Sequence, residues 1–294
     1  MKEKRKFRRK GLVFGIVFVL VFVIFTWMPM NGGAIKPLFA GGDGSPQNPF
    51  QITNVSELQN MSSNLSAHYV LMNNIDASNS STWPGGGFQP IGTSGFGFNG
   101  SFNGNGYNIT NLYINIFDYY RGLFGYTNAT AHISNVTLLN ITIIGGRDYI
   151  GALVGYNKGT ITNCSSIGVI EGNDYVGGLI GYNDGGAVTN CTTHSDTNGT
   201  GADSDYIGGL IGYNSGGTIT NCTTHGHSTG TDDWIGGLIG NNNGGLVINC
   251  TTYGIMKGSD EYNGGLIGYN SGQVKNCHAV GEVYGDLEVG GLIG

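Results

Sequence analysis

An all-β, right-handed parallel β-helix is the fold this sequence predicts. Three observations lead there: a pentapeptide recurring at a fixed period, the composition between its copies, and the shortness of that period. Gly-Gly-Leu-Ile-Gly starts at Gly177, Gly208, Gly236, Gly264 and Gly290, with variants GALVG at Gly151 and RGLFG at Arg121, so successive starts lie 26 to 31 residues apart. A period of that size marks a repeat architecture. Each copy runs acidic residue, aromatic, aliphatic, pentapeptide, Tyr-Asn, glycine turn, then Thr-Ile-Thr-Asn-Cys-Thr-Thr or a close variant. Short runs of Val, Ile, Thr and Tyr broken by Asn-Gly and Gly-Gly predict three brief strands and three turns per copy. Propeller blades need about 40 residues or more, which this period does not reach. About eight coils follow, with equivalent residues stacked at roughly the 4.8 Å strand spacing.

The chain divides in order. Residues 1–30 are a basic lead followed by a membrane helix: Met1 to Lys10 carries seven of the 13 basic residues, and Leu12 to Met28 is an almost unbroken apolar run. This predicts an uncleaved signal anchor, or a cleaved signal, with the basic flank in the cytoplasm and everything after it outside. The expected localisation is therefore the cell membrane, single-pass and with the C-terminal part extracellular, or secretion if the signal is cleaved. Beyond Lys10, six basic residues face 18 acidic ones, a net of −12. That balance argues against nucleic acid as a partner. Residues 31–44 form a Gly/Pro linker. Residues 45–117 are read as an N-terminal cap and first irregular coils, because an open β-helix end exposes strand edges and core. Within the cap, Asn54-Val-Ser-Glu57 reads as a capping box and Leu58, Met61 and Leu65 share one face of a short helix. Residues 118–294 are the six repeats, the last one cut short at Gly294, which suggests a fragment of a longer protein.

GDGSPQNPFQITNVSELQNM, HYVLMNNIDAS, FNGSFNGNGYNITNLYI and the GGLIGYNxGGTITNC copies resemble GLUG-motif repeat proteins of bacterial and archaeal surfaces. The resemblance covers about residues 42 to 294. Similar segments occur in the non-catalytic part of immunoglobulin-A-cleaving metallopeptidases and in adhesin-like proteins. It therefore implies a scaffold rather than an activity.

In a β-helix each recurring residue becomes a ladder. Cys164, Cys191, Cys222, Cys250 and Cys277 fall 13 or 14 residues after the motif starts. They read as stacked buried thiols, with pairing of neighbours as the alternative. Cys191-x-x-His194 and Cys222-x-x-His225 have a zinc ligand set, yet residues three apart on a strand face opposite ways. Asp148, Asp174, Asp205, Asp233 and Glu261 form an acidic column. Turn carboxylates accepting backbone N–H bonds is one reading of it, calcium held between stacked carboxylates the other. Tyr149, Tyr175, Tyr206, Trp234 and Tyr262 form the candidate face for a glycan, a protein partner or a second copy. Tyr126, Tyr156, Tyr182, Tyr213 and Tyr269 form a further aromatic column. Because Leu and Ile are consecutive in the motif, alternation places one of these two columns outside. Asn163, Asn190, Asn221, Asn249 and Asn276 precede the cysteines, as stacked amides facing inward. Candidate glycosylation acceptors are accordingly Asn60, Asn64, Asn79, Asn99 and Asn198, in the cap and loops.

None of the six histidines begins His-Glu-x-x-His, and no phosphate-binding loop or Cys-x-x-Cys is present. No cofactor is implied. The sequence thus predicts a non-enzymatic extracellular repeat rod for adhesion or envelope structure. The alternatives are the stalk of a larger extracellular hydrolase or, less favoured, a polysaccharide-active β-helix.

Overall fold

The computed structural model describes residues 38–145, 147–201 and 205–294. The expected membrane helix within residues 1–30 lies outside them, and among the described residues no helix is long and apolar enough to cross a membrane. The described chain is an all-β parallel solenoid of about 7 turns with one short α-helix, against the eight coils expected. One continuous face is a nine-stranded sheet starting at Phe50–Ile52, His68–Leu71 and Ser101–Asn103 and ending at Gln273–Lys275. Two six-stranded sheets and one of 13 strands complete the turns.

Register is parallel and in step: Ile161 pairs with Val188, Val188 with Ile219, Ile219 with Val247 and Val247 with Val274. One copy contains five strand segments where three were expected, namely Val176–Gly177, Ile180–Asp184, Ala187–Thr189, Thr192–Thr193 and Asp196–Gly199. The additional breaks are bends at left-handed residues and at the glycine corner. Tyr175 has φ 56° and Asn190 φ 55°, and both positions repeat through the copies.

The Gly-Gly-Leu corner overturns one expectation. Leu179 and Ile180 are both fully buried, as are Leu210 with Ile211 and Leu238 with Ile239. Alternation fails because Val176–Gly177 and Ile180–Asp184 are separate strands, so consecutive side chains on either side of the bend both enter the core. The first glycine permits the bend: a Cβ on Gly208 would lie 2.0 Å from the Ile211 carbonyl oxygen. Across the core a buried hydroxyl holds the second glycine, with Thr193 Oγ1 donating to the Gly209 carbonyl at 2.6 Å and Thr224 Oγ1 to Gly237 at 2.7 Å.

The Asn of Tyr-Asn points inward and forms a ladder that the sequence reading did not single out. Nδ2 of Asn157, Asn183, Asn214 and Asn242 donates to Oδ1 of the next Asn in the series, ending at Asn270, at 2.7 to 2.8 Å. Asn157, Asn183, Asn214 and Asn242 are fully buried. Their second Nδ2 hydrogens go to the carbonyls of Gly159, Gly186, Gly217 and Gly245. The glycine turn makes room for this ladder, since a Cβ on Gly217 would lie 2.1 Å from Asn183 Nδ2. The Asn163 to Asn276 column, expected inward, is exposed instead. Left-handed backbone at each Asn turns its amide outward while the following Cys enters the core.

At the N-terminal end, Asn54 Oδ1 accepts from the Glu57 amide at 3.0 Å, opening the helix Val55–Asn60. Glu57 reaches one residue further back than a capping box requires, accepting from the Thr53 amide at 2.6 Å. Leu58 and Met61 are fully buried beneath the first coil, and Leu65 packs half-buried against them. The register of the first repeat also differs from the pentapeptide alignment: Arg121 bridges to Ile150, the inward aliphatic column, because this copy is one residue shorter at the corner.

Two outcomes check this account. Asn214→Ala strands a donor on Asn183 and an acceptor on Asn242, and is expected to destabilise by about 2–5 kcal/mol in chemical denaturation. Asn221→Gly, which keeps the left-handed backbone and removes only an exposed amide, should cost less than about 1 kcal/mol.

Candidate functional site

The aromatic face is built by backbone that few aromatic residues adopt. Tyr149, Tyr175, Tyr206, Trp234 and Tyr262 all have φ between 56° and 65°. Such a conformation costs roughly 1–2 kcal/mol per residue. Stacking offsets much of it, at about 0.5–1.5 kcal/mol per pair. Ring centroids are 4.7 Å apart for Tyr149 and Tyr175, 4.6 Å for Tyr175 and Tyr206, and 4.8 Å for Tyr206 and Trp234, with planes within 10° of parallel. Trp234 to Tyr262 opens to 6.0 Å. Tyr120 extends the stack at the other end, 5.0 Å from Tyr149.

The second column runs beside the first. Tyr126, Tyr156, Tyr182 and Tyr213 stack at 4.7 to 4.9 Å. The two columns meet edge to face, as Tyr149 with Tyr156 at 5.7 Å and Tyr206 with Tyr213 at 5.2 Å. Glycine floors this corner: a Cβ on Gly181 would lie 2.4 Å from the Ile150 nitrogen. The result is a half-buried double aromatic ladder. Partial burial raises the phenol pKa of Tyr149, Tyr175 and Tyr206, the last to about 12. The rings stay neutral at physiological pH. Lys158 closes one end, paired with Asp184 at 3.3 Å, and Tyr156 donates to the same carboxylate at 3.0 Å.

The acidic column lies at the rim of this face. Its carboxylates cap backbone: Asp174 Oδ1 accepts from the Asp205 amide at 3.2 Å, and Asp233 Oδ1 from the Glu261 amide at 3.0 Å. Asp232, Asp233 and Asp260 bring one carboxylate oxygen each within 4.8 Å of the others. Asp205 has a buried oxygen, Oδ1, without a hydrogen-bond partner among the described residues. Burial, followed by repulsion from Asp232 and Asp174, pushes its carboxyl up to about 7. Asp148 stands at the first rung, where the chain carries Arg147 beside it.

The thiols occupy one column, free in all five positions, buried at Cys164, Cys191, Cys222 and Cys250 and half-buried at Cys277. Each sulfur donates to the carbonyl two residues before it, for example Cys191 to Thr189 at 3.3 Å. Hydrogen bonding to the neighbouring thiol and burial raise the pKa values of Cys191, Cys222, Cys250 and Cys277, to about 12 at Cys250. His194 and His225 are on the opposite face, exposed and stacked at 4.3 Å. The two cysteine-histidine pairs therefore do not converge.

The glycosylation candidates are spread over the surface. Asn64, Asn79 and Asn99 are exposed, while Asn60 and Asn198 are half-buried. Asn198 is engaged on the solenoid wall, its Oδ1 accepting from Thr229 Oγ1 at 2.7 Å. The exposed Asn163, Asn190, Asn221 and Asn249 also begin Asn-Cys-Ser/Thr triplets, a surface position that the inward reading had removed.

Asp205 generates a pH prediction. An acid whose folded pKa lies above its unfolded value weakens the fold as pH rises through that interval. Stability should fall between about pH 4 and pH 7, and Asp205→Asn should melt higher than the parent at pH 8 yet match it at pH 4, read by thermal denaturation.

Comparison with known proteins places these ladders in context. Residues 172–196 and 203–229 match the GLUG motif. A protein of Evansella cellulosilytica named as a Gly-rich membrane protein is 37% identical over 148 residues, which are 49% of this chain and 17% of that protein. Halomucin of Haloquadratum walsbyi is 37% identical over 135 residues, 43% of this chain and 2% of its own length. The chain thus spans a small part of either relative. Among solved structures, a Bacteroides ovatus protein described as an immunoglobulin A1 protease superposes with a TM-score of 0.72 at 22% identity, covering 87% of each chain. A second, described as IgA1 protease, gives 0.59 at 17% identity over 81% of this chain and 20% of that one. At these identities the likeness is one of fold.

Proposed function

We propose that this chain, whose repeats are GLUG motifs, is a non-enzymatic part of an extracellular surface protein and acts as a stiff rod that presents its double aromatic ladder to a partner. The observation that carries the reading is the ladder itself. Six stacked rings from Tyr120 to Tyr262, all of them on left-handed backbone, are maintained where a glycine or asparagine would be less strained. A flat run of half-exposed aromatic rings suits the apolar faces of sugar rings, or the same surface of a second copy. The names of the relatives, a membrane protein and halomucin, support a place at the cell surface. Attachment through the apolar run within residues 1–30 belongs to the same proposal, and so does adhesion. Repeating columns favour architecture over catalysis, because a reaction centre needs residues that depart from the repeat.

The likeness to proteins described as immunoglobulin A1 proteases favours a second reading, in which the rod is the non-catalytic stalk of a larger hydrolase. An immunoblot of the endogenous protein against the cap region, after glycan removal, separates the two. A membrane-held band near 31 kDa supports the rod as the whole protein. A much larger band supports the stalk.

The partner face is tested by Tyr206→Ser with Trp234→Ser. Loss of two stacked rings should weaken binding to surface polysaccharide, or self-association measured by sedimentation, by about tenfold or more. Unchanged binding and unchanged association together would remove the face from the proposal.

A further inference from the structure

Arg121 stands in a column otherwise filled by Ile150, Val176, Ile207, Ile235, Asn263 and Val289. Its side chain is fully buried. Nε donates to the Asp118 carbonyl at 2.9 Å and Nη1 to the Ile144 carbonyl at 3.1 Å, while Nη2 has no hydrogen-bond partner among the described residues. A buried guanidinium with an unpaired nitrogen is costly, and an aliphatic side chain at this place would be cheaper. The fold alone gives no reason for it.

The surroundings do. Arg121 lines a cleft of about 470 Å³ together with Gln89, Thr93, Asp118, Tyr119 and Tyr120. That is the size of a small-ligand site. Beyond Lys10 the sequence has two arginines: Arg121 lines the cleft, and Arg147 sits outside its lining, against the ring of the lining residue Tyr119. The Arg147 guanidinium lies 5.0 Å from the centre of the Phe117 ring and 4.9 Å from that of Tyr119. Phe117 is 72% exposed and Tyr119 42%. An adjoining hollow shares Pro90, Gly92 and Thr93 and is rimmed by Phe96, which is 78% exposed. Asp118, whose Oδ1 accepts from the Tyr119 amide at 2.8 Å, and Asp148 both act on Arg121, so the two cations here are accompanied by two carboxylates. At the corresponding rim of later copies the charges are acidic, at Asp174, Asp205, Asp233 and Glu261. The first coil is where the acidic chain offers cations beside exposed rings.

We infer that this cleft binds a carboxylate-bearing sugar unit of an acidic glycan, with the ring stacked on Tyr119 and Tyr120 and the carboxylate held by Arg147 at the mouth and Arg121 below. Aromatic rings take the apolar face of a pyranose, and a guanidinium pairs with a carboxylate by charge-assisted hydrogen bonds. The site shares Tyr120 with the end of the partner face, so its variants leave Tyr120 and the Tyr149 to Tyr262 column unaltered and the two readings are tested separately.

The test is calorimetric titration of the detergent-solubilised full chain with tetragalacturonate, beside maltotetraose as the neutral sugar and tetraglutamate as an acidic peptide. Tetragalacturonate should bind with one site per chain and weaken as salt is raised. Arg147→Gln and Tyr119→Ser, both at solvent-accessible positions, should each lower its affinity by about tenfold with the melting temperature kept. Arg121→Ile, which restores the aliphatic column, should abolish the binding while leaving the fold as stable as the parent or more so. A purely structural Arg121 would instead lose stability on that change. The inference is overturned if tetragalacturonate gives no binding, if maltotetraose or tetraglutamate binds as well, or if the three variants bind it unchanged.

Discussion

Everything in this molecule depends on in-register parallel pairing of one coil on the next. Backbone bonds fix the coil spacing, and side chains at equivalent positions then face their own kind at one strand's distance. A column succeeds only if like packs on like. Aliphatic residues do so by dispersion, amides by donor meeting acceptor, aromatic rings by stacking. Carboxylates do so poorly, and Asp205 records the strain in its raised pKa. The acidic column survives because its members spend oxygens on backbone amides of the next coil rather than on one another.

The glycines follow from the same constraint. Gly208 permits a bend that brings Leu210 and Ile211 into one core, Thr193 reaches across the core to hold the carbonyl of Gly209, and Gly217 leaves space for the amides of Asn183 and Asn214. Each is required by a different neighbour. The motif is thus a corner, a latch and a clearance, rather than a strand with small residues in it.

Much of the fold was legible because a period is a global signal and survives local error. The repeat length, the cap helix, the thiol column and the stacked aromatic residues could all be read from spacing. What failed were inferences that treated each segment as an extended strand. Leu179 and Ile180 were assigned to opposite faces, and Asn190 was placed inward, because left-handed backbone at Tyr175 and Asn190 is not visible in an alternation pattern. The inner ladder through Asn183 was missed although its signal was present, an Asn followed within three residues by Gly-Gly in copy after copy. Arg121 was aligned to a glycine by the pentapeptide, whereas hydrogen bonding sets it one column earlier, where a short corner had hidden it. Columns of residues that repeat were easier to find than the single residue that does not.

The two asparagine ladders run in opposite senses. Inner amides donate from Asn157 towards Asn270, whereas outer amides donate from Asn249 back through Asn221, Asn190 and Asn163 to Asn135. Their dipoles oppose, so adding a copy lengthens the solenoid without accumulating an amide field along its axis. Within the inner ladder, Thr127 donates to Asn157 Oδ1 and Gly159 to the same oxygen, which leaves that first amide one orientation. Reversing a single amide further along would set oxygen against oxygen on one side and NH₂ against NH₂ on the other. Orientation is therefore inherited from coil to coil, like the order of a one-dimensional ferroelectric whose first site is pinned.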